Sequence, residues 1–333
     1  MKIILQKDIH IKKEDFKKLE KLGFSIQYYN NEKVEADIYM GYPSQPFNEL
    51  NNIQGLKFIQ AFMVGFDQVD LDKIKEKEIV YANAANTSSV AIAEYVILKI
   101  LDYFKNGQKF RVAQKNQHWI SRPTSEEGLL ELFNKNVLIM GSGSIGSEIA
   151  KRLQAFEANV VGVNRSGSAV EHFDKNVALD NLEKDLNEAD VVVGCLPLNE
   201  ESKDLYDKSF FMKMKKDAVF INVGRGQQVN EEDLLSIIDN HLAAVYLDVV
   251  KNEPLKKDSA LWQHPKINIT PHIAASSDNL KKRIIEIAVD NAKRFKENKE
   301  IINRVIWYEK YCCSRWRNWR SSYFKRNKKH RGF

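Results

Sequence analysis

At 333 residues, with 43% hydrophobic and 29% charged side chains, the chain has the composition of a soluble globular protein and the length for two domains. No run of about 18 apolar residues occurs, which excludes a transmembrane helix, and the N-terminal MKIILQKDIHIKKEDF meets charges too soon to be a secretory signal. The net charge of +6 misleads: residues 304–333 hold ten Lys or Arg against one acid, Glu309, a net of +9, which leaves −3 on residues 1–303 and no electrostatic case for nucleic-acid binding.

In chain order, residues 2–5 (KIIL), 36–40 (ADIYM), 57–61 (KFIQA) and 79–81 (IVY) read as short strands. Charge-rich helical patterns such as IKKEDFKKLEKLG separate them, which predicts a small parallel α/β unit. Residues 91–106 (AIAEYVILKILDYFKN) have apolar positions three and four apart and predict an amphipathic helix bridging to the next domain. A second series of apolar runs follows at 134–140, 158–163, 190–196, 218–223, 244–249 and 267–270. Runs apolar throughout suit strands covered on both faces, and their spacing leaves room for a crossover helix between each pair. The stretch SSDNLKKRIIEIAVDNAKRFKENKE predicts a long helix that returns to the first domain.

The motif GSGSIG at 141–146 sits between the strand run ending at Met140 and the helical EIAKRLQAF. Gly141 suits a tight turn, Gly143 lets backbone approach a pyrophosphate, and Gly146 lets helix and strand pack closely. The helix start, with Ser144 and Ile145, offers free N–H groups to phosphates. The next strand ends at Asn164-Arg165-Ser166, where an NAD site usually carries an acid for the ribose hydroxyls. Asparagine does not repel a 2′-phosphate, Arg165 can pair with one and Ser166 can donate to it, so NADP is favoured. The plainer alternative, a solvated Arg165 and a site open to NAD as well, stands beside it.

Three further motifs place an arginine, an acid and a histidine at or beyond the ends of apolar strand runs: Arg225 in NVGRG, Glu253 in NEP and His272 in TPHIA. Those types suit holding a carboxylate, tuning an imidazole and moving a proton, with a hydride-carrying cofactor supplying the rest of a redox reaction. Arginine matches a carboxylate in two-point contact and polarises a carbonyl, histidine moves a proton near neutral pH, and a carboxylate steadies the imidazolium.

Together GSGSIG, CLPL (195–198), INVGRG (221–226), LDVVKNEPL (247–255), LWQHP (261–265) and TPHIAASS (270–277) resemble the D-isomer-specific 2-hydroxyacid dehydrogenases from about residue 50 to about residue 303. The resemblance implies catalytic roles for Arg225, Glu253 and His272, with Arg225 also binding substrate. It implies that Asp248 holds the nicotinamide carboxamide and that Cys195, Pro197 and Val223 line the cofactor site. QAFMVGFDQVD (60–70) resembles the loop whose N–H groups hold the substrate carboxylate, here at Val64 and Gly65. Met63 stands where family members commonly have a small residue, which bears on substrate size. Asn83 and the following TSSVAIAEYV resemble the segment lining the interdomain cleft.

The expectation is therefore an α/β protein of two doubly wound parallel-sheet domains, the larger a Rossmann dinucleotide-binding domain, with a substrate cleft between them. Residues 1–98 with 280–303 would form a flavodoxin-like substrate-binding domain and 99–279 the NAD(P)-binding domain. The implied activity is hydride transfer from NAD(P)H to a small 2-keto acid resembling glyoxylate or hydroxypyruvate. NAD-dependent oxidation of D-3-phosphoglycerate or D-lactate, or a cofactor-sensing scaffold without catalysis, are the alternatives. The resemblance also implies a homodimer.

Three cysteines, Cys195, Cys312 and Cys313, argue against a disulfide framework and fit the cytoplasm. The adjacent pair makes a poor zinc site, and no metal is expected. Residues 304–333 depart from the family: three of five tryptophans lie there, interleaved with arginines. A frame change near Arg304 is favoured over a segment that touches nucleic acid or an anionic membrane, and disorder is expected from either origin.

Overall fold

Consecutive apolar residues build the strands, and alternate side chains along each strand go to opposite faces. The computed structural model describes residues 1–8, 10–43, 49–66, 69–121 and 129–306. Within them the chain forms two compact units, Met1–Thr87 with the chain from Asp278 onward, and Ser88–Ser277.

The first unit holds β1 (Lys2–Leu5), β2 (Ser25–Tyr28), β3 (Ile38–Gly41), β4 (Phe58–Ala61) and β5 (Val80–Ala82), parallel in the order β2-β1-β3-β4-β5. That is the doubly wound order of flavodoxin-like sheets. Ile3, Leu5, Ile38, Met40 and Phe58 pack on one face, where the helix Leu280–Lys296 brings Ile284, Ala288, Ala292 and Phe295. Ile4, Tyr39, Ile59 and Tyr81 pack on the other. Arg304–Ile306 adds a strand antiparallel to β5 and buries Ile306 to 4% exposure, which corrects the expectation of a disordered tail at its first residues. Trp307 onward, with Cys312 and Cys313, lies outside the described residues.

The second unit holds β6 (Asn136–Met140), β7 (Asn159–Asn164), β8 (Lys175–Ala178), β9 (Val191–Gly194), β10 (Ala218–Asn222), β11 (Leu242–Leu247) and β12 (Ile267–Ile269). All are parallel, in the order β8-β7-β6-β9-β10-β11-β12, a Rossmann sheet with one further edge strand. Leu138, Met140, Val192, Phe220, Val245 and Leu247 feed one core, which the helix Glu231–His241 covers with Leu234, Ile237 and Ile238. Val137, Ile139, Val191, Val193, Val219 and Ile221 feed the other, under the helices Ser89–Phe104 and Ser144–Gln154. Helices on both faces explain why the runs are apolar throughout.

Two expectations need correction. The crossing between units falls at 87/88, ahead of the expected 98/99, because Ser89–Phe104 packs Ile92, Val96, Ile100 and Phe104 onto the second unit's own core. Nor does a helix fill every connection. β8 was not expected and intervenes between β7 and β9, while the β11–β12 connection carries only the single 3-10 turn Ala260–Trp262. Among the described residues no helix is long and apolar enough to cross a membrane.

Candidate active site

The turn after β6 shows why GSGSIG needs its glycines. Gly141 adopts φ 117°, a region side chains disfavour, and its N–H donates to the Val163 carbonyl of β7. A Cβ on Gly146 would run into the Gly141 carbonyl, so the helix Ser144–Gln154 can lie this close to the strand only with glycine there. A Cβ on Gly143 would meet no protein atom within 4 Å. That leaves open space at the first turn of the helix, where Ser144 is exposed and Ile145 turns back to the core.

Beside this turn lies a cavity of about 1120 Å³ lined by Gly141, Ser142, Gly143, Val163, Asn164, Arg165, Ser166, Ser168, Val170, Leu179, Asp180, Leu196, Pro197, Asn199, Glu201, Ser202 and Leu205. Apolar walls from Val163, Val170, Leu179 and Leu196 suit a flat base, and the serines and Asn164 suit ribose and phosphate oxygens. With the open space at Gly143, these residues fit the adenosine end of a dinucleotide. Asn164 braces the rim, donating to Ser142 Oγ and the Ser168 carbonyl at 2.9 Å each, and accepting from Ser166 N at 3.2 Å. Arg165 projects into solvent with its side chain 85% exposed, and its Nη2 lies 3.4 Å from Glu201 Oε2. Sequence reasoning missed Asp180 and Glu201, the two acids of this wall.

Of the other expected cofactor residues, Cys195 lies under the loop with Sγ 3.3 Å from the Met140 carbonyl and 3.2 Å from that of Gly141. Burial pushes its thiol up to about 12. Val223 is buried behind β10 and donates to the Gly194 carbonyl. Neither borders the cavity.

Arg225, Glu253 and His272 follow β10, β11 and β12, adjacent parallel strands, at their C-terminal ends, where open α/β sheets place ligands. Arg225 is half-buried; its N–H donates to Gln228 Oε1 at 3.0 Å and its Nη1 to the Gly224 carbonyl at 2.8 Å. His272 Nδ1 lies 2.8 Å from Glu253 Oε2, with side chains 51% and 39% exposed. A carboxylate only accepts, so Nδ1 carries the proton in that contact and Nε2 is left facing outward from it. Glu253 Oε1 also accepts from Val250 N at 3.2 Å. Asp248, 3% exposed, is engaged by Thr270, Ile273 and Ala274, so most of its acceptor capacity is spent inside the protein.

In the first unit, the loop after β4 is tied to the one after β5: Ala84 N donates to the Met63 carbonyl at 2.9 Å and Asn83 Nδ2 to the Val64 carbonyl at 2.6 Å. Among the described residues the Val64 and Gly65 N–H groups have no acceptor. Met63, expected to reshape a pocket, packs partly buried against the cluster containing Ile59 and Tyr81. Residues 67 and 68 of this loop lie outside the described residues.

Comparison with known proteins shows the family of the chain. Residues 97–274 match the family described as D-isomer specific 2-hydroxyacid dehydrogenase, NAD binding domain. A hydroxypyruvate reductase of Blautia hydrogenotrophica is 30% identical over 304 residues, 84% of this chain and 92% of that one. An uncharacterized protein of Corynebacterium melassecola is 33% identical over 254 residues, 76% and 83% of the two chains. The crystal structure of a D-isomer specific 2-hydroxyacid dehydrogenase family protein from Aeromonas salmonicida superposes with a TM-score of 0.77 at 29% identity, covering 92% and 98%. The chain belongs to the D-isomer specific 2-hydroxyacid dehydrogenases, NAD(P)-dependent oxidoreductases acting on CH–OH groups.

Proposed function

We propose that this protein reduces a small 2-keto acid of the glyoxylate or hydroxypyruvate kind to its D-2-hydroxy acid, with NADPH as the favoured reductant. The observation that carries the reading is the 2.8 Å contact between His272 Nδ1 and Glu253 Oε2, at the end of the sheet that also carries Arg225.

Bound nicotinamide supplies the hydride. The chain's own residues do the rest. Glu253 holds the imidazole in one tautomer and stabilises its charged form, so Nε2 delivers the proton to the nascent alkoxide. Arg225 sets its guanidinium against the substrate carboxylate and carbonyl, where it offsets the charge that develops on oxygen. The open N–H groups of Val64 and Gly65 are assigned to the substrate carboxylate. Gly141, Gly143, Ser144, Ile145 and Gly146 are assigned to the pyrophosphate turn, Pro197 to the cavity wall and Asp248 to the carboxamide, with Cys195 and Val223 backing the cofactor site from behind the cavity lining. NADP is supported by Asn164 in place of an acid and by Arg165 and Ser166 on the cavity rim.

The reading includes a cytosolic homodimer. Val112 of the helix Gly107–Lys115 is 54% exposed and Trp119 is 88% exposed in the single chain, apolar side chains that a second copy would cover. Light scattering on the purified protein checks the mass.

The test of function is a panel of glyoxylate, hydroxypyruvate and pyruvate, each with NADPH and NADH. Turnover of glyoxylate or hydroxypyruvate supports the reading, turnover of pyruvate alone moves it to D-lactate chemistry, and cofactor binding with no turnover at all supports a scaffold.

A further inference from the structure

The turn that carries His272 is wrapped around one buried carboxylate. Asp248 Oδ1 accepts from Thr270 Oγ1 at 2.7 Å and from Ile273 N at 3.0 Å, and Oδ2 accepts from Ala274 N at 2.9 Å. The Asp248 carbonyl takes His272 N at 2.8 Å. Four donors within 270–274 therefore converge on one residue.

The polarity of the chain continues outward. Since the carboxylate can only accept, the Thr270 proton goes to Asp248, and Thr270 Oγ1 becomes the acceptor for the Tyr95 hydroxyl 2.5 Å away. Tyr95 comes from the helix Ser89–Phe104, and Lys99 Nζ of the same helix lies 4.9 Å over its ring. His272 itself adopts φ 54°, in the left-handed region. A non-glycine residue stays there only where its surroundings hold it.

We propose that Tyr95, Thr270 and Asp248 form a positioning chain that holds the His272 turn in its left-handed conformation and so presents the imidazole to Glu253. It rests on the acid/base reading of His272. Tyr95 touches no reacting atom; it acts by orienting Thr270, and Thr270 by completing the donor set of Asp248.

The test compares Thr270→Val, Thr270→Ser and Tyr95→Phe with wild type in melting temperature, NADPH affinity, kcat and KM, and amide hydrogen exchange at Ile273 and Ala274. Thr270→Val is expected to lower kcat about 10- to 100-fold, the scale of a small misplacement of a catalytic group, with KM and NADPH affinity held within about twofold. Thr270→Ser restores most of kcat, Tyr95→Phe loses a few-fold, and the two amides exchange faster in Thr270→Val and Tyr95→Phe than in wild type. Wild-type kcat in Thr270→Val, no rescue by serine, or a loss confined to NADPH affinity would overturn the proposal. Should Thr270→Val not fold, Tyr95→Phe decides: wild-type kcat and exchange there refute the chain. If wild type turns over no 2-keto acid, the functional reading fails, and the exchange rates alone decide whether the turn is held this way.

Discussion

Glu253 bridges two parts of the site: Oε2 lies 2.8 Å from His272 Nδ1 while Oε1 takes the Val250 N–H at 3.2 Å. One oxygen anchors the carboxylate to its own loop, and the other faces the imidazole. Glu253→Gln keeps the shape and removes the charge that stabilises imidazolium. We expect kcat to fall substantially, but by less than the roughly 10²- to 10⁴-fold typical of losing general acid–base catalysis altogether. Melting temperature should barely move, because exposed ion pairs contribute only about 0–1 kcal/mol. Steady-state kinetics beside a thermal melt checks both; unchanged kcat counts against the pairing.

Arg165 and Glu201 face each other at 3.4 Å on the cavity rim, both largely exposed. A 2′-phosphate would compete with Glu201 for the guanidinium. Arg165→Ala should weaken NADPH about tenfold or more, the scale of a charge-assisted hydrogen bond, and leave NADH nearly unchanged. Glu201→Gln should tighten NADPH. Fluorescence titration of both cofactors reads this directly, and equal losses for NADPH and NADH in Arg165→Ala would show that cofactor choice lies elsewhere.

Gly143 and Gly146 separate binding from stability. Gly143→Ala meets no protein atom, so it should keep the melting temperature and weaken the cofactor. Gly146→Ala collides with the Gly141 carbonyl and should destabilise by about 1–3 kcal/mol, as overpacking does. Denaturant titration and cofactor binding on the two variants check the contrast, and equal stability losses would contradict it.

Burial raises the Cys195 thiol from 9.0 to about 12 and the Tyr95 phenol from 10.0 to about 12. For Tyr95, burial is the largest cause; the Thr270 hydrogen bond works against it, and Asp248 adds to it. In both cases folding favours the protonated form. Their contribution to stability is therefore full below pH 9 for Cys195 and below pH 10 for Tyr95, and is lost as pH rises towards 12. Stability measured from pH 8 to 11 should decline, less steeply in Cys195→Ala and Tyr95→Phe. Iodoacetamide should label Cys195 slowly at pH 8 in the native protein and readily once it is unfolded. Rapid native labelling at Cys195 would contradict the burial argument.

Much of this architecture was legible because buried parallel strands leave unbroken apolar runs, as in Val191–Gly194 and Ala218–Asn222. Strands that bury little did not show: SIQY at Ser25–Tyr28 is an edge strand burying Ile26, and KNVA at Lys175–Ala178 is another burying Val177. Missing the second hid Leu179 and Asp180, which follow it into the cavity wall. Glu201 was hidden for a related reason, since a loop acid gains meaning only opposite Arg165. The carrier motifs placed Glu253 and His272 near strand ends, but no local pattern could reveal that Tyr95, 175 positions before Thr270, reaches the same turn.

The central claim is that His272 moves the proton, and steady-state NADPH oxidation by wild type and His272→Ala tests it most directly, with cofactor affinity measured in parallel. The account predicts turnover of glyoxylate or hydroxypyruvate by wild type and a kcat lower by about 10²- to 10⁴-fold in His272→Ala, with cofactor affinity preserved. Wild-type kcat in His272→Ala would contradict it.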